Sequence, residues 1–248
     1  MNNQQQLHRA YADILQELDR AFLDVQHPDS KGTGGLSELF LPTVSPDYHQ
    51  ARNRIMIVGR ETRGWAIKMP KDAPFDLDTY IESATSTHRS FFQKQLEKKN
   101  SKGRAFHNFT RSIAKKCGKS GLIYANLFCF SWKKNNPKKH PDFETIKHYS
   151  KRLLDAQIAI LKPQIIVFCN GSSSAGARRA FFPVDGNTPV CSSFREHGDS
   201  SGPIPNRQLW EFTLNDSIRC FRVQHPSSRS QETIKAHKFL IEHLLPSA

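Results

Sequence analysis

Four short apolar runs constrain this chain more than any other feature: Ile55–Val58, Leu122–Leu127, Gln164–Cys169 and Cys220–Val223. Each is continuous rather than alternating, the pattern of a strand covered on both faces. Such strands need helices above and below the sheet, and the intervening sequence has the periodicity for them. Apolar residues recur at helical spacing over Leu77–Lys99, Arg104–Cys117 and Asp142–Leu161, and again over Gln231–Leu245. An earlier amphipathic stretch, Gln5–Val25, aligns Leu7, Tyr11, Ile14, Leu15, Leu18, Phe22 and Leu23 and is expected to end before Pro28. The expected fold class is α/β, a three-layer α/β/α arrangement with a central, mostly parallel, four-stranded sheet. Pro183–Trp210, rich in Gly, Pro and Ser, reads as an irregular insertion, with Leu209–Leu214 a candidate extra strand.

With 248 residues, 37% of them hydrophobic, and seventeen Phe, the chain can bury one sizeable core. A single domain over residues 1–248 is expected, with residues 1–50 a helical extension packed on it. The first ten residues, MNNQQQLHRA, are polar, and no uncharged run approaches the roughly 18 residues of a membrane helix. No membrane association and a cytoplasmic location are therefore expected. The five cysteines are odd in number and at least 12 residues apart, so no CxxC or other metal-type spacing exists. Reduced thiols, no metal and no cofactor are the expectation.

The formal charge of +13 is unevenly spread. From Lys98 to Pro141 there is no Asp or Glu, while Lys98, Lys99, Lys102, Arg104, Arg111, Lys115, Lys116, Lys119, Lys133, Lys134, Lys138 and Lys139 are all cationic. A field of that sign attracts polyanions, and the interleaved Phe106, Phe109, Phe128, Phe130 and Trp132 are available to bases or to the core. A solvated lysine face is the plainer alternative.

In mostly parallel sheets, ligands bind beyond the carboxyl ends of the strands. Past the first run stand Gly59-Arg60-Glu61, at the end of the second Asn126, past the third Asn170-Gly171-Ser172-Ser173-Ser174, and past the fourth His225-Pro226-Ser227. Taken singly, Glu61 reads equally well as an ion-pair partner of Arg60 or Arg63, Asn126 as a turn residue and His225 as a buried histidine. Taken together, a carboxylate, a carboxamide, a Ser/Gly loop and a histidine are expected at one sheet edge.

The segments VGRETRGW, IYANLFCF, KPQIIVFCNG and VQHPSSRS, in that order and at those intervals, resemble the motifs of the uracil-DNA glycosylase superfamily. The likeness covers about Arg54–Leu245. HPSSRS is similar to the superfamily's His-Pro-Ser loop, and Gly59-x-Glu61 to its Gly-x-Asp/Asn water-binding motif. Asn126 occupies the place of its base-reading asparagine. The chain departs from the pattern at Thr62, where proline is common, and at Arg63, where an aromatic stands in the classical motif. It also lacks the cysteines that hold an iron-sulfur cluster in some branches.

The resemblance implies a monofunctional DNA glycosylase acting on a flipped-out pyrimidine, with DNA, single- or double-stranded, as its partner and a monomeric state. Breaking an N-glycosidic bond leaves positive charge on the sugar and negative charge on the departing base. Glu61 would position the attacking water and stabilise the sugar cation, and His225 would donate to the base. Asn126 would read the pyrimidine edge, within a base pocket completed by Arg60, Arg63, Trp65 and Phe128. Arg229 would fill the gap left in the duplex, while Ser172, Ser173, Ser174, Ser227, Ser228, Lys133 and Lys134 would contact the phosphate backbone. Arg63-Gly64 in place of an aromatic wall implies space and hydrogen-bond donors at C5. The expected substrate is a pyrimidine with a polar C5 substituent, such as hydroxymethylated or glucosylated cytosine of phage DNA. Plain uracil is the alternative, as are a non-catalytic nucleic-acid-binding protein of the same fold and an unrelated nucleotide or phosphate enzyme.

Overall fold

Valine, isoleucine and phenylalanine side chains are stiff or bulky at the β carbon and pack well on a pleated surface. In the computed structural model, which describes residues 2–69, 74–200 and 202–248, these runs form the inner strands of one sheet. Strands β1 (Ile55–Gly59), β2 (Leu122–Asn126) and β3 (Ile165–Phe168) are buried at every position. They are followed by β4 (Cys191–Arg195), β5 (His197–Asp199), β6 (Gly202–Ile204), β7 (Leu209–Leu214) and β8 (Ile218–Val223). The main sheet has six strands in the order β2-β1-β3-β8-β7-β4, and β5 and β6 form a separate antiparallel pair.

The sheet is mixed and mostly parallel. β3 lies parallel to both β1 and β8, with Ile166 opposite Met56 on one side and Cys220 on the other. β7 and β4 are added antiparallel. Burial in β7 and β8 skips the second and fifth residues, so both strands expose part of one face.

Contacts divide the chain into two compact units. The first comprises Met1–Val44, Arg60–Phe91 and Ala125–Lys162. In it, helix α1 (Asn3–Leu15) buries Leu7, Tyr11 and Leu15 at i, i+4 and i+8, and Tyr11 donates to the carbonyl of Pro42 at 2.7 Å. Asn2 and Gln5 form a capping box at its start. Helix α2 (Leu77–Glu97) contributes its residues up to Phe91, and α4 (Phe143–Leu161) closes the unit, α3 being Ala105–Cys117. Leu39, Leu41, Tyr80, Phe128 and Phe130 are fully buried in this unit. Each such apolar side chain contributes about 1.5–3 kcal/mol relative to exposure.

The second unit comprises Ser45–Gly59, Phe92–Tyr124 and Pro163–Ala248. It carries the sheet except the last two residues of β2, together with α3, α5 (Ala175–Phe181) and α6 (Gln231–Phe239). At the start of β2, Gly121 accepts from Ile55 N–H at 2.9 Å, and a β carbon there would lie 1.9 Å from the Asn53 carbonyl oxygen. Only glycine permits that approach.

All five cysteines are free and buried. Burial pushes the thiols of Cys117 and Cys129 up to about 11 and about 12, and raises those of Cys169, Cys191 and Cys220 as well. Among the described residues, no group of three or more His, Cys, Asp or Glu is placed to hold a metal, and no helix is long and apolar enough to cross a membrane.

Three expectations change. The sheet has six strands rather than four: Leu209–Leu214 is a strand, and so is Cys191–Arg195, inside the stretch expected to be irregular. CSSFR has no strand signature of its own and is held by pairing with β7, across a bulge between Ser192 and Arg195. The first helix ends at Leu15 instead of Val25, because the Asp19 carboxylate accepts from Ala21 N–H at 2.9 Å and starts a separate 3-10 turn, Arg20–Phe22. Finally, the basic segment is shared between the units: Lys98–Lys119 falls in the second, and Lys133–Lys139 in the first.

Candidate active site

The chain leaves β1 at Gly59 and enters the first unit with Arg60 and Glu61. The Glu61 side chain is 3% exposed. Its two oxygens accept from Nε and Nη2 of Arg60, the latter at 2.8 Å, so the neighbouring guanidinium holds the carboxylate in a two-pronged grip. Backbone pairing fixes the turn further, because Phe128 N–H donates to the Arg60 carbonyl at 2.9 Å. At the end of β2, Asn126 Nδ2 donates to Thr62 Oγ1 at 2.6 Å. Its Oδ1 is buried and accepts from nothing. A buried amide oxygen without a donor costs about 1–3 kcal/mol, and such orphans are uncommon. The first unit therefore brings Arg60, Glu61 and Asn126 onto one strand-end turn.

The aromatics near this turn belong to the core. Phe128 is 0% exposed and packs edge-on against Phe143, so it contributes its N–H rather than a base-stacking face. Trp65 is 7% exposed, with its ring edge-on to Phe40 at 4.9 Å and Phe91 at 5.3 Å. That placement corrects the expectation that it stacks on a sugar: both neighbours are apolar rings, and the indole is turned inward. Arg63 and Gly64 are exposed.

Lys133 and Lys134 are exposed at the tip of a two-residue turn. Trp132 and Asn135 exchange backbone hydrogen bonds of 2.9 and 2.8 Å across it. Both lysines have positive φ, 46° and 58°, the signature of a type I′ turn that normally takes Asn-Gly. Nothing in the sequence flags this strain, because KK carries no turn signal.

In the second unit, β3 and β8 run parallel, so the residues that follow them share one edge. Gly171 has φ +70°, and a β carbon there would meet His225 Cβ at 3.4 Å. Glycine lets the loop after β3 lie against the histidine. Nδ1 of His225 accepts from the Ser227 backbone N–H at 3.2 Å and contacts Ser227 Oγ at 2.8 Å. With Nδ1 an acceptor, the proton of the neutral ring sits on Nε2. Phe106 stacks on the imidazole at 6.1 Å with a 24° interplanar angle.

The serines divide by role. Ser227 orients His225, and Ser228 Oγ is held by Thr233 Oγ1 at 3.0 Å within the start of α6, where Ser230 is the cap. Ser173 and Arg229 are exposed. Ser174 is 0% exposed, which removes it from any surface phosphate contact: it precedes α5 directly and turns into the core. Ser172 lies in the 3-10 turn Ser172–Ser174, and its side chain is outside the described residues.

Sequence reasoning missed one residue. Asn170 follows β3, is 1% exposed, and neither Nδ2 nor Oδ1 has a partner. Its position beside Gly171, past a buried strand, was the available signal. Nearby, Lys98, Arg104 and Arg111 surround His107, whose imidazole is pushed down to about 4 by burial first and by those cations second. A positive field of this kind suits a polyanionic partner. Scans against protein-family models and curated proteins find no match for this chain.

Proposed function

We propose that the protein is a monofunctional DNA glycosylase that hydrolyses the N-glycosidic bond of a flipped-out pyrimidine and leaves an abasic site. The observation that carries the reading is the fixed ring of His225. Ser227 occupies Nδ1, so the neutral imidazole carries its proton on Nε2, as a donor to a departing base anion must. Stacked Phe106 adds a second restraint on ring orientation. In this reading the Glu61 carboxylate, oriented by Arg60, positions the attacking water and stabilises the developing sugar cation. The orphan Oδ1 of Asn126 is the acceptor that an extrahelical base edge would satisfy.

The substrate we infer is a pyrimidine bearing a polar C5 substituent, with hydroxymethylated or glucosylated cytosine in phage DNA as the leading case. What supports this is the absence of aromatic bulk where the chain turns past Glu61. Arg63 and Gly64 are exposed, and Trp65, the first aromatic after them, is packed into the core. The experiment is single-turnover excision from matched oligonucleotides carrying uracil, cytosine, hydroxymethylcytosine or its glucosylated form, in single and double strands. Release confined to the C5-substituted bases is expected. Release of uracil alone leaves a uracil-DNA glycosylase, and no release from any of them removes the enzymatic reading. Glu61→Gln and His225→Ala should each slow base release by about 100- to 1,000-fold while leaving DNA binding near wild type.

A further inference from the structure

In the second unit a cavity of about 440 Å³ is bounded by Arg178, Arg179, Asp185, Asn206, Trp210 and Arg222. Arg178, on α5, is 2% exposed, and its guanidinium lies over the rings of Trp210 at 5.4 Å and Phe212 at 5.7 Å. Rings accept no conventional hydrogen bond, and Nε and Nη1 of Arg178 have no acceptor. On β8, Arg222 donates from its two terminal nitrogens to the carbonyls of Arg207 and Asn206, yet its Nε is buried without a partner. Among the described residues, none of these three arginines forms an ion pair, and the one carboxylate on the wall, Asp185, is exposed. Burial first, and neighbouring arginines second, push Arg178 down to about 10 and lower Arg222 as well.

Buried cations without counter-charge are costly, and the cost disappears when an anion brings both charge and acceptors. The wall carries three arginines and one aspartate, 3 − 1 = +2, which a dianion neutralises. Guanidinium forks match the oxygens of a tetrahedral anion in pairs, and the cavity is large enough for such a group with a substituent attached. We propose that Arg178, Arg179 and Arg222 form a binding site for the phosphate group of a nucleotide or nucleic-acid strand. The site uses none of Glu61, Asn126 or His225 and does not depend on the glycosylase reading.

The test uses the full chain and inorganic phosphate at low millimolar concentration, where its general effect on apolar burial is small. Calorimetric titration should give saturable binding to wild type that sodium chloride of equal ionic strength does not reproduce. Arg178→Met and Arg222→Gln should each weaken it by about tenfold or more, the effect of losing a charge-assisted hydrogen bond. Thermal unfolding supplies the folding control: in chloride, Arg178→Met should melt no lower than wild type, because an unpaired buried charge has gone, and the stabilisation by phosphate should vanish. Competition separates the sources. A 5′-phosphorylated dinucleotide that displaces phosphate when its 5′-hydroxyl counterpart does not identifies a terminal monoester, and equal displacement identifies an internal diester. Displacement by neither overturns the nucleic-acid assignment. Wild type that binds phosphate no better than chloride, or variants that bind as wild type does, overturn the site.

Discussion

Replacing Lys133 by Asn and Lys134 by Gly should make the protein more stable and a weaker DNA binder at once. Both lysines hold positive φ at the tip of the Trp132–Asn135 turn. A left-handed conformation costs a β-carbon residue about 1–2 kcal/mol, and glycine escapes the clash. Lys134→Gly recovers that amount less the extra backbone entropy of an unfolded glycine, about 0.4–1 kcal/mol, for a net gain of about 0.5–1 kcal/mol. Lys133→Asn recovers part of the same strain and gives up the contact of its ammonium over Trp132, at 4.6 Å, so it adds little. The pair should therefore raise stability by about 1 kcal/mol and the melting temperature by about 2–4 °C. Two lost phosphate contacts should reduce the slope of log binding constant against log salt by about 1.8 on duplex and about 1.4 on single strands. Thermal unfolding and salt-titrated fluorescence anisotropy measure the two effects. A lower melting temperature would refute the strain, and an unchanged salt slope would show that these lysines do not contact DNA.

Asn170→Leu should cut base release while raising the melting temperature, because two buried amide atoms without partners are replaced by an apolar side chain of similar size; loss of both stability and activity would point to a purely structural asparagine. Gly121→Ala should destabilise by about 3 kcal/mol or more, since a β carbon 1.9 Å from the Asn53 carbonyl forces β2 away from its neighbour; urea unfolding within experimental error of wild type would contradict this. His107 is held neutral by burial, so protons bind the unfolded chain more readily than the folded one. Its contribution is present above the ordinary histidine range and is lost as pH falls from about 6.5 towards 4. His107→Gln should flatten the melting-temperature profile over that window.

What was legible in the sequence tracks how local each signal is. β1, β3 and β8 announce themselves because branched and aromatic residues in an unbroken run have few uses other than a covered strand. β4 does not, since CSSFR is a strand only through its pairing with β7, a long-range fact. The residues just past the strands were found for the same local reason: topology sends them to one edge whatever the details. Side-chain direction was not legible. VGRETRGW and IYANLFCF show aromatics beside the polar residues, yet packing against Phe40, Phe91 and Phe143 turns Trp65 and Phe128 inward. Ser174 is lost to the core likewise, although its neighbour Ser173 stays exposed. The strained lysine turn and the partnerless amide of Asn170 are properties of three-dimensional bookkeeping that no residue pattern encodes.

The burial of every cysteine makes the chain chemically quiet. Alkylation and oxidation act on the thiolate. Five protonated, enclosed thiols offer neither the charged form nor access at neutral pH. The native protein is thus its own blank for maleimide chemistry, and one cysteine introduced at an exposed position would be the sole reactive group. Ser173→Cys places such a handle on the loop after β3, next to the Gly171–His225 contact. A dye attached there would sense an arriving strand directly, with no need to strip the interior of its own sulfur atoms.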